Sequence, residues 1–498
     1  MKGNIRYSVI VNMIRTVTIT VLSFISFPFV CRALGDTGMG TYTWANTFVY
    51  YFLTLAKLGI PSIAIRECTK VRDDKKALSK KVQEFFILQA ILTALSFLLM
   101  VSIMFVAKGD LWDNRSLIFI LSTNFLIGAF SFEWVYIALE KHYFTSFRSI
   151  FALLVSAMMI MLFIKLPENG NIVPFESQIY LYALFACMTT YVTVIINLLF
   201  LRKYVSFKKE GKYNFKQYFS SLFVIFILSF MLTLYNQSDS FILGFLNKDK
   251  SEVGSFSVGI KAIEIIITII TSLSAVFIPR ATHYYKMENK YFFNNLTRYS
   301  MNICFFIAIP AIATLTTLSS TVTSLISGGE GYINAASVLI IISSMCLTYS
   351  IGDMIYNSIL LPMKKEKYYL ISISIGVVLD IILSIILGLI FKENPSIGIA
   401  IATAVSDLII LIILIVITKE YSKKAIFNLN NLKILVAGIF VTVSSIFLIK
   451  YLPFNNNPLL LLIVTLLIDA FLYIGILIML NENLVASFLR KKEKTSVK

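Results

Sequence analysis

Charge is scarce in this chain of 498 residues: Asp, Glu, Lys and Arg make up 14% of it, against roughly 25% in ordinary soluble domains. Histidine is scarcer still, with only His142 and His283, both at expected inner helix ends and poorly placed as metal ligands. The five cysteines (Cys31, Cys68, Cys187, Cys304 and Cys346) stand singly, with no CxxC pair and no histidine at ligand spacing. They read as small packing residues, not as a disulfide frame or a zinc site. No GxxxxGK[ST] loop occurs, which argues against ATP hydrolysis of the P-loop kind. The connections between apolar runs are short, so a sizeable domain outside those runs is excluded. No ten-residue alternating pattern of the barrel type is present either.

What the chain has instead is hydrophobic length. Apolar residues make up 58% of it, mean hydropathy is +0.82, and runs of about 20 residues, enough to cross a hydrocarbon core as helix, recur from residue 8 to residue 480. There are about fourteen, beginning with 8–30 and 41–60 and ending with 432–450 and 458–480. Backbone polar groups in lipid must be satisfied within helices, so the predicted fold is an all-α polytopic membrane protein. The first run contains Arg15 and has no small-residue cleavage site, which reads as an uncleaved first span.

The formal net charge of +17 follows topology. With the N-terminus inside, inner connections hold 33 Lys or Arg and outer ones 8. This is the positive-inside pattern and places both termini in the cytoplasm. The same excess suits contact with anionic membrane lipid. No basic segment interleaves with stacking aromatics, so nucleic acid is not an expected partner.

The chain repeats itself. LGDTGMGTYTWANTFVYYFLTLAKLGIPSIAIRE (34–67) and LGFLNKDKSEVGSFSVGIKAIEIIITIITSLSAVFIPR (243–280) share an LG pair, a Gly-x-aromatic opening a helix, and a Pro then Arg at its inner end. With Gly40 set on Gly254, an offset of 214, Thr43, Thr47, Tyr50, Thr54 and Lys57 fall opposite Ser257, Lys261, Glu264, Thr268 and Thr271. Both sets step by four, three, four and three, so each is one polar stripe on one helix face. Glu133 and Asp353 repeat at an offset of 220, each three residues before a Tyr. Two parallel six-helix lobes are therefore expected: 1–203, then a basic cytoplasmic linker at 204–217, then 218–420. The segment 421–498 adds spans 13 and 14 and a basic cytoplasmic tail.

FPFVCRALGDTGMGTY, LGIPSIAIRE, EWVYIALEK, DSFILGF and VGSFSVGIK followed by FIPR, in this order, resemble the polysaccharide-repeat-unit flippases of the multidrug/oligosaccharidyl-lipid/polysaccharide exporter superfamily. The resemblance implies a multi-pass transporter of the bacterial cytoplasmic membrane. It would move an undecaprenyl-pyrophosphate-linked oligosaccharide from inner to outer leaflet by alternating access, for capsule, O-antigen, exopolysaccharide or related glycan export. It also implies coupling to an ion gradient in some members, with Na+ or H+ as the ion and no other cofactor. A polysaccharide polymerase and chain-length machinery are the implied protein partners. No catalysis is expected. An ion-coupled drug or metabolite antiporter of the same superfamily is the alternative, which the two extra helices and Arg15 count against. A membrane polymerase or glycosyltransferase is a second alternative, which the short connections disfavour.

Such a cargo needs cations for phosphate, polar groups for sugars and an apolar opening to lipid. Arg15, on a face with Asn12, Thr16, Thr20 and Ser23, is a candidate for phosphate, since its planar fork suits phosphate oxygens. Lys57 and Lys261 are the other candidate cations, with snorkelling as the plain alternative. Glu264, three residues after Lys261, either pairs with it or lines the cavity beside it, and Tyr50 belongs to the matching stripe of the second span. Asp239, Asp380 and Asp407 are candidate coupling carboxylates, with interhelical hydrogen bonding as the alternative. Glu133 and Asp353, near inner helix ends, are candidates for gating or for pairing with basic loops.

Overall fold

A computed structural model describes residues 5–166, 175–209, 211, 213–328, 331–452 and 457–486. Among them thirteen helices are long and apolar enough to cross a membrane. The first runs over 58 residues, Met13–Lys70, about 87 Å at 1.5 Å per residue, which is too long for one crossing. Gly35 divides it: its φ of 67° and ψ of 179° lie outside the helical region and suit a residue without Cβ. The break supplies both of the first two expected spans and agrees with the count of fourteen. No strand is found among the described residues.

Packing separates two compact units, Met1–Gly254 and Ser255–Lys498. In the first, the long helix Ile5–Lys57 is the hub, packing against Lys75–Ala107, His142–Phe163 and Phe219–Leu246. The last contact uses part of the polar stripe read in the second span. Thr47 donates to Gln237 Oε1 at 3.0 Å, and the Thr54 and Thr233 hydroxyls lie 3.0 Å apart. Two buried helices joined in this way satisfy polar groups that lipid would leave unpaired.

At one end of this unit, Lys250 takes a left-handed conformation with φ of 66° and is almost fully buried. Its Nζ lies 2.5 Å from Asp110 Oδ2 and 4.7 Å from the centre of the Trp44 ring, an ion pair capped by a cation–π contact. Towards the basic end, residues 204–217 are strapped to the helix Lys75–Ala107. Ser206 N–H donates to Ser79 Oγ at 2.8 Å, and Gln83 Nε2 donates to the Ser206 and Lys208 carbonyls, both at 2.8 Å. The buried Glu84 accepts from Tyr218 Oη at 2.6 Å and from Asn214 N–H at 3.0 Å.

The second unit packs Glu366–Ile390 along Pro395–Ile417, and Lys290–Thr317 against Leu429–Tyr451. Spans 13 and 14 are tied to their neighbours by polar contacts: Ser445 Oγ donates to Asp469 Oδ2 at 2.5 Å, and Tyr473 Oη donates to the Phe306 carbonyl at 3.0 Å. Between Ile355 and Leu361 the helix widens into a π-turn, Tyr356–Leu360, a local feature that often marks functional positions in helices.

Candidate functional site

In the first unit, charged residues far apart in sequence meet around one carboxylate. Phe132, in the left-handed region at φ 46°, ends one helical segment and starts another at Glu133, which aims the Glu133 side chain away from the preceding axis. Glu133 Oε1 accepts from Arg148 Nη2 at 2.9 Å and stands 3.6 Å from Arg15 Nη1. Lys57 feels the same carboxylate electrostatically. Its side chain is exposed. Two arginines thus pair with one carboxylate, with Lys57 within its electrostatic reach, so formal positive charge exceeds negative in the cluster.

Arg148 is the anchor of the cluster and is 1% exposed. Its Nη1 donates to Asn197 Oδ1 at 2.6 Å. Asn197 is itself fixed by donating to the Ser131 carbonyl and by accepting, on its backbone carbonyl, the Tyr136 hydroxyl at 2.5 Å. Arg15 is 23% and Glu133 38% exposed at the side chain, so the assembly is rooted in protein at Arg148 and open at Arg15 and Glu133. The Nε–H groups of Arg15 and Arg148 are buried with no acceptor. Unmatched donors of this kind are costly to bury, and an anion entering the cluster would supply oxygens for them.

The sequence offers Arg15 and Lys57 as cations and Glu133 as a residue for gating or for pairing with a basic loop; the fold pairs Glu133 with Arg148 and brings Arg15 to the same carboxylate. Arg148 was not among the candidates, because it was counted with the inner basic connection 141–148. Its hint was position: it lies one turn and a half inside the helix His142–Phe163, on a face shared with Ala152 and Ser156 that is fully buried. Tyr50 is exposed on the face of the hub helix whose neighbouring threonines are taken up by packing. The side chain of Asn12 lies outside the described residues. Asp239 is buried in the helix Phe219–Leu246 and acts electrostatically on Tyr51, also in the first unit.

At the rim, outside the spans, Arg72 Nη1 approaches Glu140 Oε1 at 2.6 Å. That hydrogen bond, aided by the charge of Arg72, holds the Glu140 carboxyl below the usual glutamate value.

The second unit holds Lys261 and Glu264 as an ion pair at 2.7 Å, three residues apart on one helix face. It also gathers acids around tyrosines. Asp353 Oδ2 accepts from Asn357 Nδ2 at 3.1 Å, and Asn357 Nδ2 also reaches Ser274 Oγ at 2.9 Å. Tyr349 and Tyr369 each feel both Asp353 and Asp407, which places these two carboxylates in one neighbourhood beside the π-turn. Asp380 is buried in Glu366–Ile390. No group of three or more His, Cys, Asp or Glu arranged to hold a metal ion is found among the described residues.

Comparison with known proteins places this arrangement in a family. A family model described as "Polysaccharide biosynthesis protein" matches residues 5–285, and a second, MatE, matches residues 225–386. Among solved structures, the lipid II flippase MurJ in an inward closed conformation aligns with a TM-score of 0.68 at 18% identity, over 95% of this chain and 99% of MurJ. An inward-facing multidrug resistance MATE transporter of the MOP superfamily aligns at 0.63 and 15%, over 82% and 96% of the two chains. A MOP superfamily transporter from Pyrococcus furiosus, described as having a binding pocket of reversed polarity, aligns at 0.55 and 14%, over 85% and 97%. No curated protein matches the sequence. With more than half of its length matched by the first family model, the chain belongs to the polysaccharide biosynthesis protein family, and it shares its fold with MurJ and MATE transporters.

Proposed function

We propose that this protein is a flippase for an undecaprenyl-pyrophosphate-linked oligosaccharide, carrying it from the inner to the outer leaflet of a bacterial cytoplasmic membrane. The observation that carries this reading is the cluster of Arg15, Lys57 and Arg148 around Glu133. A net positive cluster among spans that are otherwise apolar suits a diphosphate, whereas a cationic drug would be repelled by it. Charged side chains inside a bilayer cost on the order of 2.5–3.5 kcal/mol each on insertion scales, and the usual reason for keeping three of one sign together is a ligand of the other.

In the empty state Glu133 serves as an internal counter-ion that keeps Arg15 and Arg148 oriented. An arriving diphosphate offers more oxygens in the bidentate geometry that arginine favours, and it also meets the two unmatched Nε–H groups. Arg15 and Lys57, at the open side, make first contact; Arg148 is the fixed point. Asn12 and Tyr50 are proposed to meet the sugar, and Lys261 with Glu264 to line the cargo's path.

The two six-helix repeats, 1–203 and 218–420, would act as the moving lobes of an alternating-access cycle, and both termini would lie in the cytoplasm. Asp239, Asp353, Asp380 and Asp407 are the proposed coupling groups for Na+ or H+. A polysaccharide polymerase with its chain-length machinery would take the cargo on the far side. The test is translocation of a lipid-linked oligosaccharide in proteoliposomes containing the purified protein, with parallel complementation of a flippase-deficient strain. Transfer of the glycolipid that is lost with Arg15→Ala, at equal protein level, supports the reading. Efflux of small cations without glycolipid transfer would replace it with the antiporter, and glycosyl transfer by the protein alone with an enzyme.

A further inference from the structure

On the second unit, two clefts open side by side at the ends of the helices Lys290–Thr317 and Leu429–Tyr451 that the positive-inside pattern assigns to the cytoplasm. The first, of about 420 Å³, is lined by Arg298, Lys424 and Lys433 together with Asn428, Asn430 and Asn483. Those three cations have no carboxylate among the residues lining the cleft with them. The second, of about 400 Å³, is lined mainly by Phe305, Ile426, Leu432 and Leu435. Phe427, Asn428 and Leu429 line both, so the polar cleft runs directly into the apolar one.

Direction along the helices gives the pair its meaning. Both helices start at the basic, inner side and run outward. Phe305 follows Arg298 by seven residues on one face and so lies roughly 10 Å further along its helix, while Leu432 and Leu435 flank Lys433, so the apolar wall begins beside the cations and extends past Arg298. Phe427, Leu429 and Leu432 are exposed, as an apolar wall facing acyl chains would be.

One further group points to a ligand. Asn431 is 1% exposed and lines the apolar cleft. Its Nδ2 is committed to the Ala425 and Ile426 carbonyls at 3.1 and 2.7 Å, which fixes the amide orientation. Its Oδ1 is buried without a donor.

We infer that this double cleft is a binding site for an anionic glycerophospholipid of the inner leaflet. The phosphate would sit among Arg298, Lys424 and Lys433, an acyl chain would run along Phe305, Leu432 and Leu435, and a head-group hydroxyl would reach Asn431. Charge complementarity and the continuity of the cationic cleft with an exposed apolar one choose this occupant: basic pockets between helices on the cytoplasmic side hold anionic head groups, and a zwitterionic lipid would leave the three cations without net compensation. The site lies in the second unit and is independent of the Glu133 cluster and of the flippase reading built on it.

The experiment is native mass spectrometry of the full-length protein in detergent, titrated with phosphatidylglycerol, phosphatidylcholine, undecaprenyl phosphate and inorganic phosphate. Phosphatidylglycerol is expected to bind at least about ten-fold more tightly than phosphatidylcholine, given about 1 kcal/mol for each basic residue near an anionic surface. The preference should disappear in the Arg298→Gln, Lys424→Gln, Lys433→Gln triple variant and persist in the charge-keeping Lys424→Arg, Lys433→Arg variant. A monodisperse elution profile and unchanged phosphatidylcholine binding show that the triple variant is folded. Equal binding of the two phospholipids, or a preference unchanged in the triple variant, overturns the proposal. Preferential binding of undecaprenyl phosphate that the triple variant loses would assign the cleft to cargo, and capture of inorganic phosphate alone would make it a simple anion site; either result also overturns it.

Discussion

Gly40 and Gly254 stand 214 residues apart and make the same contact from opposite sides. A Cβ on Gly40 would fall 1.8 Å from the Lys250 carbonyl oxygen, and a Cβ on Gly254 2.2 Å from that of Asp36. Asp36 and Lys250 are separated by the same 214 positions. The turn entering the second span and the turn entering the eighth therefore pack on each other reciprocally, each glycine against the carbonyl that its own copy carries four residues earlier. The offset read from the sequence is thus also a local two-fold relation in space.

That reciprocity yields a stability test. Gly40→Ala and Gly254→Ala each place a methyl against backbone, which cannot swing aside as a flexible side chain would. Each is expected to destabilise the purified protein by about 1–3 kcal/mol, the usual cost of overpacking, read as a lowered thermal midpoint. Because one separation of the turns relieves both clashes, the double variant should lose clearly less than the sum.

The Glu133 cluster separates anchoring from binding. Arg148→Ala removes the buried partner of Glu133 and Asn197 and should cost about 3–5 kcal/mol, lowering thermal midpoint and export together. Arg15→Ala, at a longer pair distance of 3.6 Å, should leave the midpoint within about 1 kcal/mol of wild type while abolishing translocation. Equal loss of stability in both variants would make the cluster structural.

Glu84 holds the far end of the strap at 204–217. Glu84→Ala leaves the Tyr218 hydroxyl and Asn214 N–H without their acceptor, a penalty of about 1–3 kcal/mol for each donor that stays buried. Trypsin should then cut at the lysines of this segment several-fold faster than in wild type, with cleavage elsewhere unchanged.

In the second unit, Asp353→Asn and Asp407→Asn should remove the dependence of translocation on a Na+ or H+ gradient while cargo binding persists, since neither residue is part of the Glu133 cluster. Gradient-dependent transport retained in both variants would remove these two carboxylates from the coupling scheme.

At the rim, the depressed pKa of Glu140 fixes a sign. Its ion pair with Arg72 stabilises the folded chain above the ordinary glutamate value of 4.5, and this contribution is lost as pH falls through the lower folded value. Glu140→Gln should therefore melt slightly below wild type at pH 7, and the two curves should converge under more acidic conditions. Both side chains are exposed, so the separation is small.

The all-α polytopic fold was legible because hydrophobic length is an average over many residues. Single side chains were harder. Arg148 is a cation beside a basic connection, and only the turn at Phe132, which brings Glu133 back towards it, distinguishes it from its snorkelling neighbours. Thr47 and Thr54 have the right period for a cavity face, yet Gln237 and Thr233 take them up, because a polar stripe looks the same whether water or another helix answers it. Lys250 reads as an ordinary loop lysine, and its burial depends on Asp110 and Trp44, residues remote in sequence.

The chain contains three tryptophans, Trp44, Trp112 and Trp134. Trp44 lies under the Lys250 ammonium, Trp112 is two residues from the Asp110 that pairs with it, and Trp134 follows Glu133. All three indoles therefore stand in the first unit, Trp44 beneath Lys250, Trp112 against Phe105 and Arg115 and Trp134 against Phe85 and Phe132, and none lies in the second. The unlabelled protein carries its own optical reporters: a change in tryptophan emission on adding lipid-linked cargo originates in the first unit, and replacing Trp44, Trp112 or Trp134 by Phe tells which of the three surroundings responds.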